Sequence, residues 1–150
     1  MTGTMLSKQI DENLMSIEDT VSMHLFDEIS AMDQDIASSI TLKQLVTHTS
    51  GLPTSPSYVT RLEEGPYTVD QFFDYMNSVS VDEISPGNEY QYSNVATSLL
   101  GYILQHKKNK QTFQELLNSE LFYKLAMVNT NIVVNPNNPL VSRRYDGDVQ

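Results

Sequence analysis

Apolar residues in this chain recur almost throughout at helical spacing, and a single β-branched run of three, Ile132-Val133-Val134, stands against them. A sheet of any size needs several alternating or β-branched segments, so the expected fold is mainly α with at most short strands. Met5, Leu6, Ile10 and Leu14 predict an amphipathic helix from Thr4 to Met15, with no convincing cap at its start. The acidic stretch from Ser16 to Ser39 offers one helical turn around Val21, His24 and Leu25, and Asp27 to Asp35 reads as loop.

The next segments are marked at their ends. Thr41 can cap a helix whose face is Leu42, Leu45 and Val46, and Gly51 followed by Pro53 is expected to stop it. Thr54 to Tyr67, with two Pro and one Gly, reads as a surface loop. Thr68 then caps a helix with the stripe Phe72, Tyr75, Met76 and Val79. Ser85-Pro86-Gly87-Asn88 is a strong turn signal. Asn94 to His106 and Thr112 to Leu125 complete the helices. At 150 residues one domain, 1–150, is the default expectation.

Composition narrows the chemistry. With 19 acidic and nine basic residues the formal charge is −10, which opposes docking on nucleic acid or an anionic membrane. No Cys is present, so thiol nucleophiles, disulfides and thiolate zinc sites are excluded. No apolar run approaches the roughly 20 residues of a membrane span, and Met1 to Ile10 lacks the basic and apolar regions of a signal peptide. His24, His48 and His106 have no metal-ligand spacing, so neither metal nor cofactor is inferred, and all three read as packing or solvent residues. The lysines at 107, 108 and 110 follow a helix end, where positive charge complements the dipole, and read as a solvated cap.

A serine nucleophile needs a base within hydrogen-bond reach, and Ser/Thr-x-x-Lys provides one across a helical turn. That motif is absent, as is a Gly-x-Ser-x-Gly elbow. His48 and Ser50, if helical, point nearly opposite ways and make a poor dyad. Tyr-x-Asn occurs twice, at Tyr75-Met76-Asn77 and Tyr92-Ser93-Asn94. Tyr75 falls inside an apolar stripe and reads as core. Tyr92 and Asn94 follow a Pro-Gly turn and directly precede a helix, where they either project as functional groups or serve as staple and cap.

Three blocks carry a family resemblance. Ile40 to Pro53, reading Ile-Thr-Leu-Lys-Gln-Leu-Val-Thr-His-Thr-Ser-Gly-Leu-Pro, is the first, and Ser85-Pro86-Gly87 through Tyr92-Ser93-Asn94 to Leu99-Leu100-Gly101-Tyr102-Ile103 is the second. Leu121-Phe122-Tyr123-Lys124-Leu125-Ala126-Met127-Val128-Asn129-Thr130 is the third. In content, order and separation they resemble the serine β-lactamase-like family, which includes class C β-lactamases, penicillin-binding D,D-carboxypeptidases and related esterases. The resemblance implies that the chain is the helical region of the β-lactamase/transpeptidase-like α+β fold. It also implies that Tyr92 is the proton-transfer tyrosine and Asn94 the amide that orients lysine and substrate.

The family's Ser-x-x-Lys would fall just before Met1, and its Lys/His-x-Gly strand beyond Gln150. Lys124 and Ala126 replace a Pro and a Gly common in the third block. The expectation is therefore the central part of a serine hydrolase that in complete form cleaves a β-lactam, a D-Ala-D-Ala peptide or a simple ester through an acyl-enzyme, inactive as this chain alone. The alternative is a non-catalytic binding or interaction module. Expected partners are a small-molecule or peptide substrate in the complete protein, and self-association or pairing with the missing sheet. By resemblance the complete protein is periplasmic or secreted.

Overall fold

The computed structural model describes residues 1–25, 34–56, 68–109 and 112–133. Six α-helices are described: α1 (Thr2–Asp11), α2 (Gln34–Ser39), α3 (Leu42–Val46), α4 (Val69–Ser78), α5 (Asn94–Lys107) and α6 (Phe113–Leu117). Short 3-10 turns lie at Val21–Met23 and Val81–Glu83, and a π-helical turn, Asn118–Phe122, continues α6. Among the described residues there is no strand. The nearest approach is an antiparallel bridge between Thr20 and Thr41, flanked by bonds from Val21 N–H to Ile40 O and from Leu42 N–H to Asp19 O, both 2.9 Å.

The helix starts follow the chemistry of the Thr caps. Thr41, Thr68 and Thr112 each accept from the backbone N–H three residues on, and Gln44, Gln71 and Glu115 reach back to the cap's own N–H. α1 has no side-chain cap. It begins at Thr2 rather than Thr4 and ends at Asp11 rather than Met15, because Asn13 takes φ +55 and sends its N–H back to Ile10 O. α3 likewise ends at Val46, well before Gly51, because His48 takes φ +58. α2 is a helix that the acidic segment does not predict, and it starts at Gln34, inside the loop expected from Asp27 to Asp35. Its buried face is only Ile36 and Ala37, too short to register as a period.

α5 is the centre of the core. Val95, Ala96, Leu99, Leu100, Gly101, Ile103 and Leu104 are buried around most of its circumference, so it needs neighbours on several sides. α1, α3 and α6 pack against it. α1 adds a polar tie: the buried Gln9 donates Nε2–H to Leu104 O at 2.9 Å. On α4 the buried face is Phe72, Phe73 and Met76, continued by Val79 beyond the helix, while Tyr75 is only partly buried at the core's edge.

The basic end of α5 is not simply solvated. Lys108 Nζ reaches Glu12 at the end of α1, and Glu12 also pairs with Lys8. Lys8 in turn approaches Glu120 at 3.3 Å, and Glu120 pairs with Lys124 at 3.0 Å. The third block ends in a turn in which Met127 N–H donates to Phe122 O at 2.8 Å and Ala126 takes φ +53. A left-handed residue closes that turn, a conformation glycine adopts without strain and alanine does not. Ile132 and Val133 form no strand, and the remainder of that run lies outside the described residues, as do the segments 57–67 and 134–150.

Candidate functional site

The first two sequence blocks lie side by side, stitched by a ladder of bonds along residues 48–54 and 85–94. Gly87 N–H donates to Thr49 O at 2.7 Å, Gln91 N–H to His48 O at 2.8 Å, and Asn94 N–H to Thr54 O at 2.8 Å. Gly51 makes this approach possible. It takes φ +74, and a Cβ there would lie 2.7 Å from Ser85 N. The two blocks are thus held side by side in space: the Ser-Gly-Leu-Pro turn is the bed on which the Pro-Gly to Tyr-Ser-Asn segment rests.

Ser93 is the anchor at the end of that bed. Fully buried, it caps α5 by accepting from Ala96 N–H at 2.9 Å while its hydroxyl donates to Pro53 O at 2.7 Å. The cap is therefore Ser93 and not Asn94. Asn94, released from capping, is exposed, and its Nδ2 lies 3.4 Å from Ser55 Oγ. Tyr92 remains 54% exposed.

Tyr92 does have a titratable neighbour, which the spacing of residues did not reveal. The His48 ring lies against Tyr92 at a centroid distance of 4.8 Å and 36° between planes, with Tyr90 edge-on to it at 6.0 Å. Nδ1 of His48 accepts from Ser93 N–H at 3.2 Å. The other two histidines are engaged elsewhere: His24 with Asp19 at 2.9 Å, and His106 stacked on Tyr102. Ser50 is buried, with its hydroxyl accepting from Leu52 N–H at 3.3 Å.

The two Tyr-x-Asn triplets separate clearly. The Tyr75 hydroxyl is pushed above its ordinary value by burial and, secondarily, by the nearby Glu83 charge, conditions that disfavour a phenolate. Tyr92 sits on an exposed, rigidly held loop.

From Asn94 an open groove of about 390 Å³ runs along α5. Thr2 at the start of α1, Thr68, Phe72, Asn94, Gln105 and Phe113 are among its lining residues. The first residue of α1 and Asn94 therefore line one groove. Among the described residues no group of three or more His, Asp or Glu could hold a metal ion.

The sequence profile of the family described as Beta-lactamase matches residues 1–149. The chain belongs to the beta-lactamase family. Among solved structures, the helical arrangement is similar to a beta-lactamase/D-alanine carboxypeptidase of Yersinia pestis, with a TM-score of 0.75 at 24% identity over 90% of this chain and 38% of that one. It is also similar to a class C beta-lactamase of Rhodobacter sphaeroides, with a TM-score of 0.64 at 25% identity over 83% of this chain and 32% of that one. Protein flp of Staphylococcus aureus (strain MRSA252) is 30% identical over 139 residues, which are 91% of this chain and 27% of the relative. This beta-lactamase family chain thus spans about a quarter of the length of the curated relatives it matches. No helix among its described residues is long and apolar enough to cross a membrane.

Proposed function

We propose that this chain is the central helical part of a serine hydrolase that, in complete form, cleaves an amide or ester through an acyl-enzyme, and that the chain alone hydrolyses nothing. Tyr92 is the proton-transfer group and Asn94 the amide that orients the lysine and the substrate. One observation carries the reading: Thr2, the first residue of α1, and Asn94 line the same groove. A further helical turn ahead of Thr2 would rise along the α1 axis at about 1.5 Å per residue, bringing a Ser-x-x-Lys there beside Asn94.

The chemistry suits that arrangement. A tyrosine hydroxyl has an ordinary pKa near 10 and becomes a useful base only beside a cation that stabilises the phenolate. The lysine of Ser-x-x-Lys is that cation, and Asn94 donates from Nδ2 while accepting at Oδ1, so one amide can hold both the ammonium and a substrate carbonyl. A β-lactam, a D-Ala-D-Ala peptide and a simple ester all fit this constellation. The exposed apolar residues Tyr123, Leu125, Val128, Ile132 and Val133 support pairing with a sheet or a second copy.

The test uses the gene product with its flanking segments. Acylation by a reactive β-lactam or an activated ester should be lost with replacement of the Ser-x-x-Lys serine, and should fall about 100-fold or more in Tyr92→Phe, the range for removing a general acid or base. Wild-type acylation rates in Tyr92→Phe and Asn94→Ala would overturn both assignments.

A further inference from the structure

We propose that His48 is a positioning residue for Tyr92, working as the neutral Nε2–H tautomer whose Nδ1 lone pair holds the Ser93 N–H. The inference rests on the assignment of Tyr92 to proton transfer. His48 grips the residues on both sides of Tyr92 and the ring between them. Its carbonyl accepts from Gln91 N–H at 2.8 Å, its Nδ1 accepts from Ser93 N–H at 3.2 Å, and its ring lies 4.8 Å from that of Tyr92. With both flanking amides and the ring face held, little freedom remains for the Tyr92 side chain to change its orientation.

His48 is itself tightly held. Its φ of +58 is unusual for a residue other than glycine, and such outliers persist where the surroundings over-determine them. Thr47 and Thr49 on either side bond to each other through their hydroxyls at 2.9 Å, and Thr49 N–H donates to Gln44 O at 2.9 Å.

The tautomer follows from the partner. Ser93 N–H is a donor, so Nδ1 must present a lone pair, whereas the Nδ1–H tautomer and the imidazolium would each set donor against donor. Ser93 is fully buried with the His48 ring in place, so the ring nitrogen and not water accepts from its N–H. An aromatic residue without a ring nitrogen would keep the contact with Tyr92 and orphan that amide.

Long-range proton–nitrogen correlation spectra of the chain labelled at histidine read the tautomer directly. His48 should show a non-protonated Nδ1 and a protonated Nε2, and a protonated Nδ1 overturns the proposal. Amide hydrogen exchange of two variants supplies the second readout. His48→Gly accepts the left-handed conformation without strain and deletes both ring and acceptor. His48→Asn also tolerates that conformation, and its Oδ1 stands where Nδ1 stood. Loss of the bond should speed Ser93 amide exchange about fivefold or more in His48→Gly, with His48→Asn restoring it most of the way, while Leu99 and Leu100 amides in α5 stay unchanged.

Unchanged Ser93 exchange in His48→Gly, or no rescue in His48→Asn with α5 still protected, overturns the assignment. Should His48→Gly lose protection throughout α5, the wild-type tautomer and the Asn variant decide. None of these readouts depends on chemistry at Tyr92, so positioning and proton transfer fail separately: the acylation rate of Tyr92→Phe tests only the latter.

Discussion

Replacing Gly51 by alanine should be among the most damaging single-methyl additions in the chain. The residue holds φ +74, which costs an L side chain about 1–2 kcal/mol. The added Cβ would also stand 2.7 Å from Ser85 N, a backbone atom that cannot rotate aside. Relieving that contact pushes the 85–94 segment off its bed and weakens the Gly87–Thr49 and Gln91–His48 bonds, each worth about 1 kcal/mol net. A stiffer unfolded chain returns roughly 0.4–1 kcal/mol to the alanine variant. The net loss is about 3 kcal/mol, which lowers the thermal midpoint by roughly 6–12 °C for a chain of this size.

Urea denaturation followed by circular dichroism measures it, with Gly87→Ala as the comparison. Gly87 has a similar φ of +87, but its Cβ would meet only the Gln44 Nε2 at 3.1 Å, the far end of a side chain that can move. Gly87→Ala should therefore cost less, about 1–2 kcal/mol. A loss under about 0.5 kcal/mol at Gly51, or a larger loss at Gly87, would refute the close-approach reasoning.

Other consequences can be measured on the same chain. Ala126→Gly relieves a left-handed alanine at φ +53 and should raise stability by up to about 1 kcal/mol; a lower urea midpoint would count against the strain assigned there. Glu12 is held down at about 2 by its bonds to Lys108 and Lys8, below its ordinary 4.5. Because the folded value is the lower one, the stability it contributes is fully present above pH 4.5 and is lost as pH falls from there toward 2. Urea midpoints at pH 5 and pH 3 should therefore differ less in Glu12→Gln than in the wild type, and equal differences would dismiss the network. Light scattering of the chain should report a species larger than a monomer, since Tyr123, Leu125, Val128 and Val133 are each exposed near the end of the described residues; a clean monomer at high concentration contradicts pairing through them.

What was legible in the sequence had local causes. Thr41, Thr68 and Thr112 announce their helices because a hydroxyl three residues before Gln or Glu closes a capping box within one turn. The stripe of α5 is readable because Leu99, Leu100, Ile103 and Leu104 repeat at helical spacing. The ends of α1 and α3 were not legible, since they are set by Asn13 and His48 adopting positive φ, which neither residue type requires. α2 escaped because two buried residues make no period.

At the site, Tyr92 and Asn94 stand out by following a Pro-Gly turn into a helix, yet Ser93 between them carries the capping. From sequence His48 reads as a packing or solvent residue, because its bond to Ser93 spans 45 positions and ends on a backbone amide, a partner with no sequence signature. The one available hint was Gly51 in a Ser-Gly-Leu-Pro turn, the residue whose missing Cβ lets the two blocks approach and brings His48 to Ser93.

The central claim, a serine hydrolase whose acylating residue joins this helical unit at the start of α1, is tested most directly by intact-mass spectrometry of the protein from its native source after incubation with a reactive β-lactam. The account predicts a chain longer than 150 residues carrying one drug adduct, mapped to a serine one helical turn or so ahead of Thr2. An unmodified chain of 150 residues would contradict it and would make this beta-lactamase family member a binding module.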